Sequence, residues 1–187
     1  MREVDVYYVR GKYPVFTTFL NSSLEEIESI KEKITKYRKE NPESNFSNVK
    51  AWHSHYRTQD KTNMFDEINQ QIVRECNNIV VKYFDTDEIL QIYDMWINVY
   101  KKGNYTKAHC HAGSNYSCCY YVDVEENSSP IKFFPRLEIK PKNDMLVFFH
   151  ADLYHEVPPT NGKRTLITMN LQYPKPPSIT PSHFKYS

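Results

Sequence analysis

From residue 89 to residue 173 the sequence consists of short β-type runs separated by turn signals, with no helical pattern between them. Sequences rich in Asn, Ser, Pro, Lys or Gly separate neighbouring runs, as turns require. Short strands at even spacing are typical of an antiparallel sandwich or barrel, and they exclude alternating βαβ units. The predicted strands are Ile89–Tyr100, Tyr116–Val124, Ile131–Pro135, Met145–Phe149 and Arg164–Tyr173.

The N-terminal half has a different pattern. Val4–Val9 is predicted as a strand, and Ser23, with Glu26 as its capping-box partner, is predicted to begin an amphipathic helix that ends at Asn41-Pro42. Its apolar face is expected to hold Leu24, Ile27, Ile30, Ile34 and Tyr37. A second helix is predicted over Met64–Phe84, after an irregular segment at 43–63.

These elements predict one domain of the α+β class, mainly β, with two helices packed against a β-core. Residues 1–88 would supply a strand and helical support, 89–173 the core, and 174–187 a Pro-rich surface tail.

Charge and composition exclude several kinds of protein. Lys and Arg number 24 against 23 Asp and Glu, so no net charge draws the chain to nucleic acid or to a membrane surface. Only 4 glycines occur, and none forms a phosphate-binding loop. No leader or apolar span is visible, and the vicinal Cys118-Cys119 pair is a poor disulfide framework. A reduced, cytoplasmic protein is therefore expected.

Three histidines are the candidate metal ligands. Side chains two apart in a strand-like segment point to the same side, so His109 and His111 can converge on one ion. His155 follows the run Met145–Phe149 and would join them if the two turns meet. Three imidazoles suit Fe, Zn, Cu or Ni and leave positions open for reactants. An isolated His-x-His is nevertheless common, and His53-Ser54-His55 has the same spacing in a polar setting.

Arg164 is the candidate anion-binding residue. It lies nine residues after His155, at the start of the last predicted strand. A guanidinium that points into a β-core needs an anion, and a dicarboxylic co-substrate could supply it. The alternative is a surface arginine beside Lys163.

The order of these residues resembles the 2-oxoglutarate/Fe(II)-dependent dioxygenases, whose motif is His-x-Asp/Glu…His…Arg on a double-stranded β-helix. It is more narrowly similar to a group of small 2OG-Fe(II) oxygenases of bacteria and phages. The matching positions are Trp96-Ile97-Asn98, Gly103, His109-Cys110-His111, Ser117, Tyr120-Tyr121-Val122, Phe149-His150, His155-Glu156-Val157-Pro158, Arg164 and Asn170, with a weaker echo at Trp52-His53-Ser54.

The resemblance implies a jelly-roll core and a set of site roles. His109 and His155 would be iron ligands, and His111 would stand where most relatives have a carboxylate. Arg164 would hold the distal carboxylate of 2-oxoglutarate with help from the Tyr121 phenol. Asn98 and Ser117 would line the co-substrate pocket or serve only as structural polar groups.

Three departures from the family pattern bear on these roles: His111 stands in place of a carboxylate, Leu166 in place of a common Ser, and Phe149-His150 in place of a Phe-Pro step. Asp123 or Glu125 is the alternative source of an acidic ligand, although neither stands at the motif position. Leu166 replaces a common Ser, so that Thr165 or Thr168 would have to supply the hydroxyl.

The implied activity is that of a dioxygenase that uses Fe(II), 2-oxoglutarate and O₂, hydroxylates its substrate and releases succinate and CO₂. The substrate would be a small molecule or a peptide, and a phage-encoded origin is compatible with the resemblance. The alternatives are a three-His dioxygenase of the cupin type, which needs no 2-oxoglutarate, and a non-catalytic jelly roll that binds a metal or ligand. Succinate formation separates the first alternative from the favoured function.

Overall fold

The computed structural model describes residues 2–44 and 48–174. Within these ranges the chain forms two α-helices, one 3₁₀ turn and twelve strands. The helices are α1 (Leu24–Glu40) and α2 (Asp66–Phe84), and the 3₁₀ turn is Thr58–Asp60. The strands are β1 (Asp5–Val9), β2 (Tyr13–Phe19), β3 (Val49–Lys50), β4 (Trp52–His53), β5 (Gln91–Tyr100), β6 (Tyr105–His109), β7 (Tyr116–Val124), β8 (Ile131–Phe133), β9 (Leu137–Ile139), β10 (Met145–His150), β11 (His155–Val157) and β12 (Arg164–Gln172).

The strands form two antiparallel sheets. The large sheet has the order β1-β2-β10-β7-β12-β5-β4, and the small sheet has the order β3-β6-β11-β8-β9. From β5 to β12 the chain passes back and forth between the two sheets, which is the connectivity of an eight-stranded jelly roll. The predicted mainly-β class and jelly-roll core are confirmed.

Side-chain alternation along β7 explains how the layers pack. Cys118, Tyr120 and Val122 belong to the apolar core that includes residues of both helices. Cys119 and Tyr121 face the opposite way and join the core that includes residues of the small sheet. Because the large sheet is covered on both faces, its central strands β7 and β12 are buried along almost their whole length rather than at alternate residues.

The helix at the N-terminal side matches its sequence signals closely. Ser23 accepts a hydrogen bond from the Glu26 amide, and the Glu26 carboxylate accepts one from the Ser23 amide, which completes the predicted capping box. Ile30, Ile34 and Tyr37 are buried as expected. Leu24 is 82% exposed and so lies outside the apolar face that the periodicity predicted.

Several short strands were missed because their sequences are polar or contain proline. β2 begins at Tyr13-Pro14, directly after a turn in which Arg10 and Gly11 have positive φ, and it pairs with both β1 and β10. The segment 43–63, expected to be irregular, contributes β3 and β4, one to each sheet. The predicted run Ile131–Pro135 is only a three-residue strand, and the tail from residue 175 lies outside the described residues.

Replacing Ser23 with Ala is expected to lower the free energy of unfolding by about 1 kcal/mol, the usual cost of losing an N-cap hydroxyl. Urea denaturation followed by circular dichroism measures the change. Ser29→Ala, an exposed change in the middle of the same helix, is the matched control and should be neutral or slightly stabilising. Equal effects of the two changes would contradict a specific role for the cap.

Candidate metal and dicarboxylate site

Two short strands of the small sheet bring the metal-ligand candidates together. His109 is the last residue of β6, and His155, the first residue of β11, is its direct antiparallel partner. His111 follows in the turn after β6, where its amide donates to the Ala151 carbonyl. The candidate ligand atoms of the three imidazoles lie within 4.8 Å of one another, so the structure brings the predicted triad into one place.

Backbone carbonyls determine which ring nitrogen faces the centre of the triad. The Nδ1 atom of His109 lies 2.9 Å from the Lys107 carbonyl, and that of His155 lies 2.8 Å from the Leu153 carbonyl. A carbonyl can only accept a hydrogen bond, so both Nδ1 atoms carry the proton and both Nε2 atoms keep a lone pair. This is the tautomer that binds a metal through Nε2.

Burial keeps the imidazoles of the triad neutral. Loss of hydration lowers the pKa of His111 to about 3, with a further contribution from His109. Loss of hydration also lowers the pKa of His109 and holds that of His155 well below its usual value. Neutral imidazole is the form that coordinates a metal, so no proton has to be displaced near neutral pH.

Arg164 lies in the same cavity as the triad. The cavity has a volume of about 180 Å³, and its lining includes the triad, Arg164 and Tyr121. Arg164 is fully buried at the start of β12. Its guanidinium donates to the Ser129 carbonyl at 2.9 Å and lies 4.5 Å from the centre of the Tyr100 ring. The alternative of a surface arginine is therefore wrong.

The guanidinium has no anionic partner within the described part of the chain. No carboxylate oxygen there lies within 4.0 Å of Arg164, and its Nε atom has no hydrogen-bond partner. Burial raises the pKa of the nearby Cys119 thiol to about 12, so that group is neutral. The buried hydroxyl of Tyr121 also lacks a partner. An unpaired buried cation beside an unsatisfied phenol fits an anion with carboxylate oxygens.

The remaining candidates divide between the cavity and other places. Asn98 borders the cavity, and its Nδ2 atom has no partner, whereas Thr168 donates to its Oδ1 atom at 3.4 Å. Ser117 does not line the cavity, because its hydroxyl is held by the Met169 carbonyl and by Asn170. Leu166 and Thr168 line the cavity, but Thr165 does not.

Neither alternative acidic ligand faces the triad. Asp123 pairs with Lys163 at 2.9 Å, and Glu125 accepts a hydrogen bond from the Lys163 amide. Both carboxylates lie outside the cavity, so the third position of the triad is occupied by an imidazole alone.

His150 also stands apart from the triad. It lines a separate groove of about 550 Å³ that includes none of the three candidate ligands. Phe134 is 41% exposed and lines this outer groove as well. Phe133 and Phe149 pack against the His155 ring, with ring centres 5.7 and 4.8 Å away, and so shield the triad.

Sequence reasoning missed His53 as a cavity residue. Its ring is buried, stacks on Trp96 at 5.7 Å and forms part of the cavity wall, and burial lowers its pKa to about 4. The sequence signal for this role was the weaker family similarity at Trp52-His53-Ser54. In the structure, β4 pairs His53 with Asn98 on the neighbouring strand. Trp96 in turn lies 5.6 Å from the His111 ring.

Comparisons with known proteins concern the family and the fold of the chain. The family described as "Putative 2OG-Fe(II) oxygenase" matches residues 94–137, which include His109 and His111. Both the sequence match and the fold are those of the 2OG-Fe(II) oxygenases. No curated protein matched the sequence.

Three solved oxygenases illustrate the shared fold. A prolyl-4-hydroxylase from Pseudomonas putida is 13% identical with a TM-score of 0.66, over 88% of this chain and 95% of that one. A Trichoplax adhaerens prolyl hydroxylase, solved with a hypoxia inducible factor peptide, is 14% identical with a TM-score of 0.66, over 85% and 82%. The alpha-ketoglutarate-dependent carbocyclase SnoK of nogalamycin biosynthesis is 10% identical with a TM-score of 0.66, over 84% and 78%.

The buried histidines make the stability of the metal-free protein depend on pH. Unfolded imidazoles bind protons near pH 6.5, whereas the pKa values of His53, His109, His111 and His155 are lowered in the folded protein. The unfolded state therefore takes up more protons as the pH falls, and the free energy of unfolding should decrease below about pH 6.5 by up to about 1.4 kcal/mol per pH unit for each imidazole.

Urea denaturation in the presence of a chelator between pH 7.5 and pH 5 measures this slope. A His155→Gln variant has one buried imidazole fewer, so the pH dependence of its free energy of unfolding should be smaller by up to about 1.4 kcal/mol per pH unit. The exposed His55→Gln variant is the control and should keep the full slope. A wild-type stability that is constant over this range would contradict the burial of neutral imidazoles.

Proposed function

We propose that this chain catalyses an Fe(II)- and 2-oxoglutarate-dependent oxidation in which His109, His111 and His155 bind the metal and Arg164 binds the distal carboxylate. The observation that carries the proposal is the buried, unpaired guanidinium in the same small cavity as three converging imidazoles. A cupin-type three-His site that needs no 2-oxoglutarate gives no reason to bury a cation without a partner.

The donor set suits both groups. Two imidazoles have their Nδ1 protons held by backbone carbonyls, which leaves Nε2 of each available to Fe(II). The Arg164 fork and the Tyr121 hydroxyl can donate to the two oxygens of one carboxylate. Bound in this cavity, Fe(II) and 2-oxoglutarate would supply the O₂-dependent oxidising chemistry that side chains lack, with succinate and CO₂ as products.

The rest of the cavity positions and protects these groups. Phe133 and Phe149 exclude water from the face of His155, and Trp96 does so beside His111. Tyr56 lines the cavity and is 44% exposed, so we assign the side of Tyr56 and Trp96 as the approach for the substrate. Asn98, with its unsatisfied Nδ2 atom, is assigned to orient the co-substrate.

Hydroxylation of a small molecule or a peptide is the proposed outcome. The hydroxylase from Trichoplax was solved with a peptide, which supports a peptide substrate. The carbocyclase SnoK has the same fold but is named for a different reaction, so the fold alone does not select between the two substrate classes. Neither helix of the described chain is long and apolar enough to cross a membrane.

Replacing Arg164 with Ala should abolish 2-oxoglutarate turnover while leaving metal binding nearly intact. Truncating one partner of a buried charge pair costs about 2–5 kcal/mol, so the Kd for 2-oxoglutarate should rise by roughly 30-fold or more. Succinate release and calorimetric titration measure the two effects. Arg136→Ala, an exposed arginine, is the control, and Tyr121→Phe should weaken 2-oxoglutarate binding less severely. Full succinate production by Arg164→Ala would show that the anchor is wrong.

Replacing His109 or His155 with Ala should remove the metal. Each change deletes one of three candidate donors, so bound Fe(II) after anaerobic loading should fall from near one equivalent to a small fraction. Metal analysis after gel filtration measures the content, and the melting temperature reports folding. His150→Ala removes an imidazole outside the triad and should keep the wild-type metal content. Metal retention by both triad variants would refute the assigned site.

A further inference from the structure

We propose that the cavity binds its metal tightly only together with a dicarboxylate, because the co-substrate supplies the negative charge that no cavity residue supplies. His111 and Arg164 are the two residues that set this dependence. The inference rests on the function proposed above. With the acidic ligand that most relatives have in place of His111, the dependence of metal binding on a dicarboxylate would be weaker.

The first argument is the charge of the cavity lining. Among the described residues that line the cavity there is no aspartate and no glutamate, and Arg164 is the one permanently charged group. The two alternative acidic ligands, Asp123 and Glu125, interact with Lys163 outside the cavity. A divalent ion on three neutral imidazoles would therefore raise the charge of this cavity from +1 to +3.

The second argument is that burial makes this charge costly. Arg164 is fully buried and His155 is 4% exposed, so little water is available to screen the ion from the guanidinium. Like charges in one poorly hydrated cavity oppose each other, and the protein supplies no counter-charge. Without a co-substrate, the bonds from the three imidazoles would therefore have to overcome the repulsion between the metal ion and the guanidinium.

The third argument is that one dicarboxylate can neutralise charge on both the guanidinium and the metal ion. One carboxylate group can meet the Arg164 fork and the Tyr121 hydroxyl, both of which have unsatisfied atoms. The other end, a 2-oxo acid, can reach the ion and bring the second negative charge. A monocarboxylic 2-oxo acid such as pyruvate can approach the ion but leaves the guanidinium unpaired, so the cavity should discriminate between the two acids.

The experiment measures Co²⁺ affinity of the full chain by anaerobic calorimetry, alone and with saturating 2-oxoglutarate or pyruvate. In the wild-type protein, 2-oxoglutarate should tighten Co²⁺ binding by at least about tenfold, and pyruvate by clearly less. By linkage, Co²⁺ should tighten 2-oxoglutarate binding by the same factor.

His111→Asp and His111→Asn form the decisive pair, since the two side chains have nearly the same shape and differ by one negative charge. His111→Asp should bind Co²⁺ without any co-substrate at least about tenfold more tightly than His111→Asn. His150→Asp places the same charge outside the cavity and should leave the wild-type affinity unchanged. Circular dichroism verifies that each variant is folded.

The outcomes separate this inference from the proposed function. Equal Co²⁺ affinity with and without 2-oxoglutarate would overturn the inference, and so would equal affinity of the Asp and Asn variants. If the wild-type protein still produced succinate in either case, the proposed function would remain valid. Failure of the wild-type protein to bind either Co²⁺ or 2-oxoglutarate would overturn both.

Discussion

Because helices cover one face of the large sheet and the small sheet covers the other, every strand between them carries two sets of side chains with different surroundings. On β7, Tyr120 packs towards the helices, whereas its neighbour Tyr121 faces the cavity. A one-residue shift in register would exchange the two faces. The extensive apolar packing of α1 and α2 thus fixes the register, and the register decides which polar groups reach the cavity.

The cavity concentrates polar groups whose burial is unfavourable without a ligand. Arg164 satisfies one donor on the Ser129 carbonyl and lies over the Tyr100 ring, but its Nε atom stays without a partner. Unsatisfied buried groups of this kind destabilise a fold, so their presence in an otherwise well-packed core is typical of a binding site. The fold tolerates this cost because apolar residues surround the cavity on both sheets.

Sequence reasoning predicted the long, strongly patterned elements and the residues that carry the metal motif. α1 was recognisable from Ser23, Glu26 and its periodicity, and β7 from the strand-forming tyrosines and valines of Tyr116–Val124. The short strands escaped because β6 and β11 are stabilised by each other and by tertiary contacts rather than by their own sequence. The role of His53 in the cavity wall was hidden for the same reason, since β4 has only two residues.

The carbonyl groups that hold His109 and His155 belong to residues only two positions before each ring. The orientation of these donors is therefore a local property of two short chain segments and does not require an ion to create it. Small metal-dependent domains collapse when a chelator strips them. This chain should instead remain folded after demetallation near neutral pH and accept a replacement ion, which would allow spectroscopically active metals to be exchanged into the native protein.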